Sequence, residues 1–518
     1  MPDCYKISPM ASEDELKRCV ELLESIVKDR ALLAQVPHEL RVALMIAAGR
    51  VSRPARVEAI KLSRELQARE KRRKQTSDRQ VRASTVIRQA RQAPVFTPPA
   101  PLLPQAREHG GEDLSKPRFC YVCKAPFRRV HFFYDSMCPS CGDFNYAKRG
   151  QSASLEGRVA LITGARIKIG YQTALMLLRA GATVIATTRF PRDAALRYLR
   201  EKDFDSWGQR LQIHGLDLRH SPSVEIFARF IESSSRRLDI LINNAAQTVR
   251  RPPAFYAHLL ENELRPLEDF GSAQRGLLRE HERCKAALGA TAAPALKRSE
   301  EDVAALAAWH GGGFGLGLRE SARLSQLKYA YDDAELGAEL FPAGLLDADL
   351  QQVDLRSKNS WRLTLAEVST AEMLELQLIN SVAPFILCAK LKPLMLRQRT
   401  WEKHIVNVSA MEGSFSRHTK TDKHPHTNMA KSALNMMTLT SAPDYAKDGI
   451  YMNAVDTGWV TDEDPAAHAE RKKSELDFEP PLDIVDGAAR VCDPIFSGLL
   501  TGRHAWGKFF KDYQPTSW

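Results

Sequence analysis

The sequence predicts a doubly wound α/β fold, built on a mostly parallel sheet and preceded by a helical region and a small cysteine module. The first observation is a strand–turn–helix–strand pattern in residues 157–191, where two short aliphatic runs flank an amphipathic one. Such runs are typical of parallel strands buried on both faces. The second observation is that similar runs recur at residues 211–214, 238–243, 404–408 and 450–454. This alternation predicts helices on both faces of the sheet.

The length of 518 residues predicts one large domain with smaller appendages. No apolar run is long enough to cross a bilayer, and residues 1–15 are mixed and partly acidic, unlike a targeting peptide. Of nine cysteines, five are scattered, which favours free thiols in a reducing compartment over a disulfide framework. We therefore expect a cytoplasmic protein without membrane contact.

The net charge of +11 is concentrated in one segment. Between Arg50 and Gln92 there are fourteen basic and four acidic residues, a balance of +10. Such a segment could contact nucleic acid or another anionic surface. A solvated helical arm, or a helix packed on the main domain, is the favoured interpretation, because charged runs usually face solvent. A nucleic-acid partner is therefore not expected.

The chain before the sheet divides into three parts. Residues 1–92 are predicted to be helical and basic, and Ser12 and Glu15 have capping-box spacing before a run with helical periodicity. Residues 93–117 are rich in proline and predict an extended linker. Residues 118–150 contain the cysteine module, and residues 151–518 form the α/β domain, with a long insertion at about 250–360.

Two C-x-x-C pairs, fourteen residues apart, predict a structural zinc site in the form of a small ribbon. Two such knuckles can present four thiolates in tetrahedral geometry, which leaves no open position on the metal for catalysis. We expect Phe132, Phe133 and Tyr134 to form its strands, and Gly142 to supply a permissive turn. A protein partner could bind through this module. The predicted ligands are Cys120, Cys123, Cys138 and Cys141.

The turn after the first strand of the large domain predicts a phosphate-binding loop. Thr163 and Gly164 turn the chain, and Gly170 opens a helix whose first N–H groups and positive dipole end suit a pyrophosphate. Lys168 stands where a dinucleotide-binding turn usually has glycine.

Several motifs occur in the order found in short-chain dehydrogenases/reductases, and residues 155–256 and 361–507 resemble that family. The motifs lie at residues 163–170, 217–218, 243–246, 380–384, 406–409, 431–434 and 458–461. The resemblance implies a Rossmann domain with a nicotinamide dinucleotide across the carboxyl ends of the strands. It implies that Asp217 and Leu218 flank the adenine, that Asn243 and Ala245 line the cofactor site, and that Thr461 meets the carboxamide. Thr163, Gly164, Ile169 and Gly170 would form the phosphate loop.

The end of the second strand favours NADP(H) over NAD. NAD sites normally place an acid there to accept the ribose hydroxyls, whereas this sequence has Thr188 followed by Arg189. Arg189, with Arg166 or Lys168 of the glycine loop, could hold a 2′-phosphate. NAD remains possible if these side chains simply face solvent.

The family's catalytic set is only half present. Lys431 and Asn380 match, but Thr427 occupies the position of the catalytic Tyr, four residues before the Lys, and Ala410 that of the Ser. An alcohol is a poorer acid than a phenol, so another group would have to act as the acid. Candidate substitutes in the loop before Lys431 are His424 and His426, because a His titrates near neutral pH. Ser409 could orient a substrate. A polar surface loop without function is an equally acceptable interpretation.

The insertion at about 250–360 lies at the ligand end of the predicted sheet, where long loops usually cover or shape a site. Tyr256, Tyr329 or Tyr331 could supply a proton donor from it. Two functions remain open. The first is an NADP(H)-dependent oxidoreductase for a carbonyl or alcohol substrate, with an altered acid–base site. The second is an inactive NADP(H)-binding scaffold or redox sensor that engages a partner through the zinc ribbon and the basic arm. The resemblance allows a homo-oligomer.

Overall fold

A computed structural model of the chain describes residues 12–99, 113–290, 315–328, 337, 339–417 and 419–518. The chain forms two compact units, Met1–Ser77 and Asp78–Trp518. The first unit therefore ends within the basic segment, before the predicted linker begins.

The first unit contains α1 (Glu13–Lys28), α2 (His38–Ser52) and the start of α3 (Arg56–Ala83). The predicted capping box is confirmed: the Ser12 hydroxyl accepts from the Glu15 N–H at 3.2 Å, and the Glu15 carboxylate accepts from the Ser12 N–H at 2.7 Å. No residue of α1 or α2 is buried. These helices thus have little core of their own.

The end of the basic segment, from Asp78 onward, belongs to the second unit and packs within it. Here α3 is followed by α4 (Val86–Ala90), and the Arg88 guanidinium lies 2.5 Å from the buried Asp135 carboxylate. Arg82 pairs with Asp477, and Arg91 donates to the carbonyls of residues 480 and 482 at 2.6 and 2.7 Å. This part of the positive charge is neutralised within the fold.

The cysteine module contains β1 (Arg118–Phe119) and β2 (Pro126–Phe127), which pair antiparallel, and α5 (Pro139–Arg149). The main sheet has eight strands: β3 (Val159–Thr163), β4 (Thr183–Thr188), β5 (Leu211–Gly215), β6 (Ile240–Asn243), β7 (Lys403–Ser409), β8 (Ile450–Asp456), β9 (Phe509–Lys511) and β10 (Gln514–Thr516).

Twelve further helices are described in the second unit. They are α6 (Lys168–Arg179), α7 (Pro191–Leu199), α8 (Phe204–Trp207), α9 (Ser221–Ser234), α10 (Pro253–Leu264), α11 (Ser272–Ala290), α12 (Leu316–Arg319), α13 (Thr370–Gln377), α14 (Ala383–Leu396), α15 (Pro425–Ala446), α16 (Ala466–Leu476) and α17 (Ile484–Thr501).

The sheet order is β10-β9-β8-β7-β6-β3-β4-β5, and every neighbouring pair is parallel except β9 and β10. The predicted parallel α/β fold is confirmed. The chain reverses its direction of progress between β3 and β6, which creates a crevice at the carboxyl ends of these strands. Side chains from α6, α7 and α17 pack on one face of the sheet, and those from α9, α14 and α15 pack on the other.

Part of the insertion covers the edge of the sheet. Helix α11 packs along β5, and the Gly215 N–H donates to the His281 ring at 3.3 Å. An edge strand exposes unpaired backbone groups, so this helix protects it. A later part, residues 347–359, reaches the carboxyl ends of the strands.

One continuous helical run among the described residues, Thr370–Leu396, is long and apolar enough to cross a membrane, contrary to the expectation from sequence. Most of its apolar window is buried inside the protein. The core helix of a globular domain passes the same test.

Candidate functional site

A cavity of about 1590 Å³ lies at the carboxyl ends of β3, β4, β6, β7 and β8. Ligands of open α/β sheets bind in this place. Of the residues that the sequence singled out, its walls include Gly164, Arg166, Lys168, Ile169, Gly170, Arg189, Asp217, Leu218, Ala245, Ser409, Ala410, His424, Thr427, Lys431 and Thr461.

The glycine loop is tightly packed at its two glycines. A Cβ on Gly170 would lie 2.3 Å from the Gly164 oxygen and 2.3 Å from Asn244 Nδ2. Gly164 has a φ of +68° and touches the Ala245 backbone. Lys168 adopts a φ of +55°, a left-handed conformation that usually falls to glycine. The loop keeps the backbone of a phosphate cradle at the start of α6, and its glycines leave room for the close approach of a pyrophosphate.

Two residues expected at the cofactor site do not line the cavity. Thr163 stabilises the loop after β6, because its hydroxyl accepts from the N–H groups of Asn244 and Ala245 at 3.1 and 3.0 Å. The side chain of Asn243 lies within the sheet, where its Nδ2 donates to Asn407 Oδ1 at 2.8 Å. Both therefore hold the loop after β6 in place.

Both cations of the glycine loop already have an acidic partner, Asp193 of α7 for Arg166 and Asp349 of the insertion for Lys168. Arg166 donates to Asp193 at 2.7 Å and to Gln351 at 2.6 Å, and its burial lowers its pKa. Lys168 Nζ lies 3.7 Å from the Asp349 carboxylate. Burial lowers the pKa of Lys168, but the nearby carboxylates outweigh it and the net shift is upward.

Arg189 is the exception among these cations. Its guanidinium donates to the Tyr256 hydroxyl at 2.6 Å and lies over the Tyr256 ring. Within the described part of the chain it forms no ion pair. It is half-buried at the end of β4 and faces the cavity, and its charge contributes to the lowered pKa of Asp217.

The Asp217 carboxylate is already paired with the neighbouring Arg219. Its buried carboxylate accepts from the Arg219 guanidinium at 2.6 Å, and its N–H donates to the Gly317 carbonyl at 2.8 Å. Burial raises the pKa of Asp217, and the Arg219 charge more than offsets this, so the net shift is downward. Thr461, on the opposite side of the cavity, donates its hydroxyl to Glu463 at 2.7 Å.

Lys431 and Thr427 lie one turn apart on α15, and both face the cavity. Lys431 Nζ donates to the Val408 carbonyl at 2.8 Å, and burial lowers its pKa to about 8. The Thr427 hydroxyl is buried and has no hydrogen-bond partner among the described residues. A buried hydroxyl without a partner is costly, which makes this atom a candidate contact for a ligand.

Asn380 lies in a π-helical turn, Leu378–Val382, and does not line the cavity. Its Oδ1 accepts from the Gln247 N–H at 2.7 Å, and its Nδ2 donates to the Gln247 carbonyl at 3.0 Å. Such turns often occur at functional sites. In this structure the amide anchors the loop that follows β6.

The two histidine candidates differ in position. His424 lies in the cavity wall, stacked on Trp361 with ring centroids 3.9 Å apart, and burial lowers its pKa. His426 is buried outside the cavity, with its Nε2 3.1 Å from a Glu372 carboxylate oxygen. His424 immediately precedes α15 and has a φ of +42°, whereas His426 is the second residue of the helix, so the two rings occupy different surroundings.

The remaining candidates are Ser409, the position of Ala410 and the three tyrosines of the insertion. The Ser409 hydroxyl donates to Asn435 Oδ1, so it is already engaged. Ala410 exposes only a methyl group where the resemblance expects a hydroxyl. Tyr256 lines the cavity beside Arg189, whereas Tyr329 and Tyr331 lie outside the described residues.

Among the residues of the cavity wall that sequence reasoning missed are two acids and two residues of the cysteine module. Asp456 accepts from the Met411 N–H at 2.7 Å, and burial raises its pKa. Glu412 lies near Lys431. Tyr121 and Lys124 come from the first cysteine knuckle. No spacing signal links these positions, because they meet only through the tertiary fold.

The four cysteine sulfurs of the module lie within 4.8 Å of one another. Thiolates bound to one Zn²⁺ at about 2.3 Å are separated by similar distances, so the donor set fits a structural metal ion. The module differs from the expected ribbon, however. Phe132, Phe133 and Tyr134 are not in strands, and the second knuckle begins α5, with Pro139 as its first residue.

Gly142 is needed for packing and not for a turn. It lies within α5, where a Cβ would come within 2.4 Å of the His131 ring.

Comparisons with known proteins agree with this architecture. A family model described as short chain dehydrogenase matches residues 158–262, and a second, described as enoyl-(acyl carrier protein) reductase, matches residues 357–479. The uncharacterized protein R665 of Acanthamoeba polyphaga mimivirus is 30% identical over 390 residues, which cover 73% of this chain and 71% of that protein.

Named relatives match over shorter stretches. Human dehydrogenase/reductase SDR family member 13 is 39% identical over 121 residues, which cover 23% of this chain and 31% of that protein. A solved complex of RhlG with NADP from Pseudomonas aeruginosa shows 16% identity and a TM-score of 0.41, covering 69% of this chain and 95% of that one. From the matched family models and the order of its strands, the chain belongs to the short-chain dehydrogenase/reductase family.

Proposed function

We propose that this protein is an NADP(H)-dependent oxidoreductase that acts on a carbonyl or alcohol substrate with an altered acid–base site. The observation that carries the proposal is that the glycine loop, Arg189 and Lys431 all face one cavity. A phosphate cradle and a buried lysine of lowered pKa that line the same crevice suit a nicotinamide-dependent reductase.

The residues support NADP(H) over NAD through the charge at the end of β4. Arg189 forms no direct ion pair among the described residues, whereas Arg166 and Lys168 already have acidic partners. Arg189 is therefore the group that we assign to the 2′-phosphate, and the backbone of residues 164–170 to the pyrophosphate. The bound cofactor would supply or accept the hydride.

We assign the acid–base work to Lys431 and Thr427. The Thr427 hydroxyl is buried in the wall without a partner and would hold the substrate oxygen. Lys431 exchanges protons near neutral pH because burial lowers its pKa to about 8. His424 is the second candidate acid, since it also lines the cavity. His426 and Asn380 leave the catalytic set in this proposal and become positioning residues, because both point away from the cavity.

The test is a comparison of cofactor binding with turnover. Purified protein would be titrated with NADPH and NADH and then assayed on a panel of aldehydes and ketones, beside Lys431→Ala. Lys390→Ala is the matched control, because Lys390 is exposed on α14. We expect Lys431→Ala to bind NADPH and to lose turnover. Absence of NADPH binding by the wild-type protein, or unchanged turnover in Lys431→Ala, would reject the proposal.

The alternative is a non-catalytic NADP(H)-binding scaffold or redox sensor. One observation favours it: Thr427 and Ala410 lie in the cavity wall at the positions where the family has its Tyr and its Ser. Thr427 therefore cannot act as a phenolic acid, and Ala410 has no hydroxyl. In that case the cysteine module and the basic helix α3 would engage a protein partner, and a homo-oligomer is compatible with either function. NADPH binding without turnover on any carbonyl, unaffected by Lys431→Ala, would favour this reading. The described cysteines outside the four-sulfur cluster (Cys19, Cys284, Cys388 and Cys492) form no disulfide, which supports the reducing environment of the cytoplasm as the location that we propose.

A further inference from the structure

The first cysteine knuckle forms part of the wall of the dinucleotide cavity. Tyr121 and Lys124 lie in this wall together with Gly458, Trp459 and Thr461, which follow β8. Two sections of chain more than three hundred residues apart thus meet at one end of the cavity. A purely remote structural metal site would not contribute to this surface.

One hydrogen bond joins the knuckle to the loop after β8. The Tyr121 hydroxyl accepts from the Trp459 N–H at 3.0 Å. Gly458, the residue before, has a φ of +76°, and a Cβ there would lie 3.0 Å from the same hydroxyl and 2.4 Å from Leu482. The loop therefore passes closely over the phenol, and its next residues lead to Thr461 in the cavity wall.

The knuckle is held by its own backbone and by the cysteine cluster. The Cys120 N–H donates to the Ala125 carbonyl at 2.9 Å, and the Tyr121 N–H donates to the Ser136 carbonyl at 2.8 Å. Cys120 and Cys123, on either side of Tyr121, belong to the four-sulfur cluster. A metal bound there would fix both ends of the dipeptide that carries the phenol.

The other side of the module is fastened to the α/β domain independently of the knuckle. Arg149 of α5 lies 2.6 Å from Asp483 and 2.9 Å from Asp486, and the Tyr134 hydroxyl donates to Asp486. Gly487, the next residue of α17, packs against Ile169 of the glycine loop. Movement of the knuckle would therefore change its contact with the loop after β8 while the rest of the module stays in place.

We propose that Tyr121 is a positioning residue of the dinucleotide site, and that metal binding by the four cysteines tightens the grip on the nicotinamide half of the cofactor through it. This inference rests on the proposed function. Tyr121 acts on the loop after β8, whereas Arg189 and the glycine loop act on the adenosine half. Loss of Tyr121 therefore weakens binding of the whole dinucleotide and leaves binding of its adenosine half unchanged.

The test compares two ligands on two variants. Dissociation constants of NADPH and of adenosine 2′,5′-bisphosphate would be measured for wild type, Tyr121→Phe and Tyr513→Phe, all with zinc content verified. Tyr513→Phe is the matched control, since its hydroxyl is buried beside the same module, has no partner among the described residues and does not line the cavity. We expect Tyr121→Phe to bind NADPH about five- to tenfold more weakly, as loss of one hydrogen bond predicts, with adenosine 2′,5′-bisphosphate unchanged.

A chelation arm tests the link to the metal. Zinc removal from wild type should weaken NADPH binding to the level of Tyr121→Phe, and removal from Tyr121→Phe should add little. Equal NADPH affinity in Tyr121→Phe and wild type, equal losses for both ligands, or the same loss in Tyr513→Phe would overturn the inference. An unchanged NADPH affinity after zinc removal overturns its metal half, and so does unfolding of the stripped protein. A wild-type protein that binds neither ligand rejects the proposed function itself.

Discussion

The guanidinium of Arg189, at the end of β4, lies 2.6 Å from the hydroxyl of Tyr256, a residue of the insertion, and packs on its ring. The insertion thus orients a cation that, unlike Arg166 and Lys168, forms no direct ion pair among the described residues. Because a charge-assisted hydrogen bond to a phosphate is stronger than a neutral one, this arginine should decide between the two nicotinamide cofactors.

Arg189→Gln should weaken NADPH binding by roughly ten- to a hundredfold, the loss expected for a hydrogen bond to a charged group, and leave NADH binding unchanged. Fluorescence titration with both cofactors measures this. Arg192→Gln serves as the control, since Arg192 lies outside the cavity and over Phe270. Equal losses for NADPH and NADH would assign Arg189 to the fold and not to the 2′-phosphate.

The buried Lys431 should leave a signature in the pH dependence of stability. Its pKa is about 8 in the folded protein and about 10.5 when exposed. Between these values the unfolded chain holds more protons, so this residue makes the free energy of unfolding rise with pH. Relative to Lys431→Met, wild type should gain about 1–3 kcal/mol from pH 7 to 10.5. Urea unfolding of both proteins, with Lys390→Met as the control, measures the difference; parallel pH profiles would contradict the shifted pKa.

Gly170→Ala should damage the phosphate loop. The added methyl group would lie 2.3 Å from the Gly164 carbonyl oxygen, a backbone atom that cannot move without opening the turn. We expect a loss of stability of about 1–3 kcal/mol, together with loss of NADPH binding. Gly271→Ala is the control, since a Cβ there meets nothing within 4 Å. Calorimetry measures both effects. Equal melting temperatures and equal NADPH affinities for the two variants would contradict the prediction.

Removal of one cysteine ligand should release the metal and destabilise the second unit. Cys141→Ser breaks the four-sulfur set, whereas Cys19→Ser changes an exposed thiol on α1. Zinc content should fall from one ion per chain to none in the first variant, and the melting temperature should fall by roughly 4 °C or more. Retention of zinc by Cys141→Ser would exclude the four-cysteine site.

The double change Ala410→Ser with Thr427→Tyr separates the two proposed functions. Both positions lie in the cavity wall, so the new hydroxyls would face the same space as Lys431. If the natural site has lost catalysis, this variant should acquire carbonyl reduction that wild type lacks. If the natural site works through Thr427, turnover should fall or change substrate preference. The single change Ala410→Ser controls for the volume of the added group, and steady-state assays decide between the two.

The strands of the sheet were the most predictable elements, because a buried parallel strand is a short run of aliphatic residues that is recognisable in the local sequence. The predicted run 450–454 became Ile450–Asp456, and 211–214 became Leu211–Gly215, each within two residues. The glycine loop was equally local. Helix α6 begins at Lys168, two residues before the expected Gly170, and this lysine adopts the left-handed backbone that is usual for a glycine.

The partners of the site residues could not be predicted, because they come from distant parts of the chain. Arg166 and Lys168 looked available for phosphate, yet Gln351 and Asp349 of the insertion already contact them. His426 looked as suitable as His424 until the position of Glu372 separated them. No local pattern encodes contacts that depend on how an insertion folds back over the sheet.

The turn at residues 347–351 competes with a dissolved phosphate for the glycine loop, because its Asp349 pairs with Lys168. The Asp347 carboxylate accepts from the N–H groups of Asp349 and Gln351 at 2.9 and 2.8 Å, which holds this turn over the loop. A tethered carboxylate acts at an effective concentration of about the millimolar range. The pair between Lys168 and Asp349 is long, at 3.7 Å, so a diffusing phosphate can displace it. The insertion would therefore lower the apparent affinity of the glycine loop for any phosphate ligand, because Asp349 must first release Lys168.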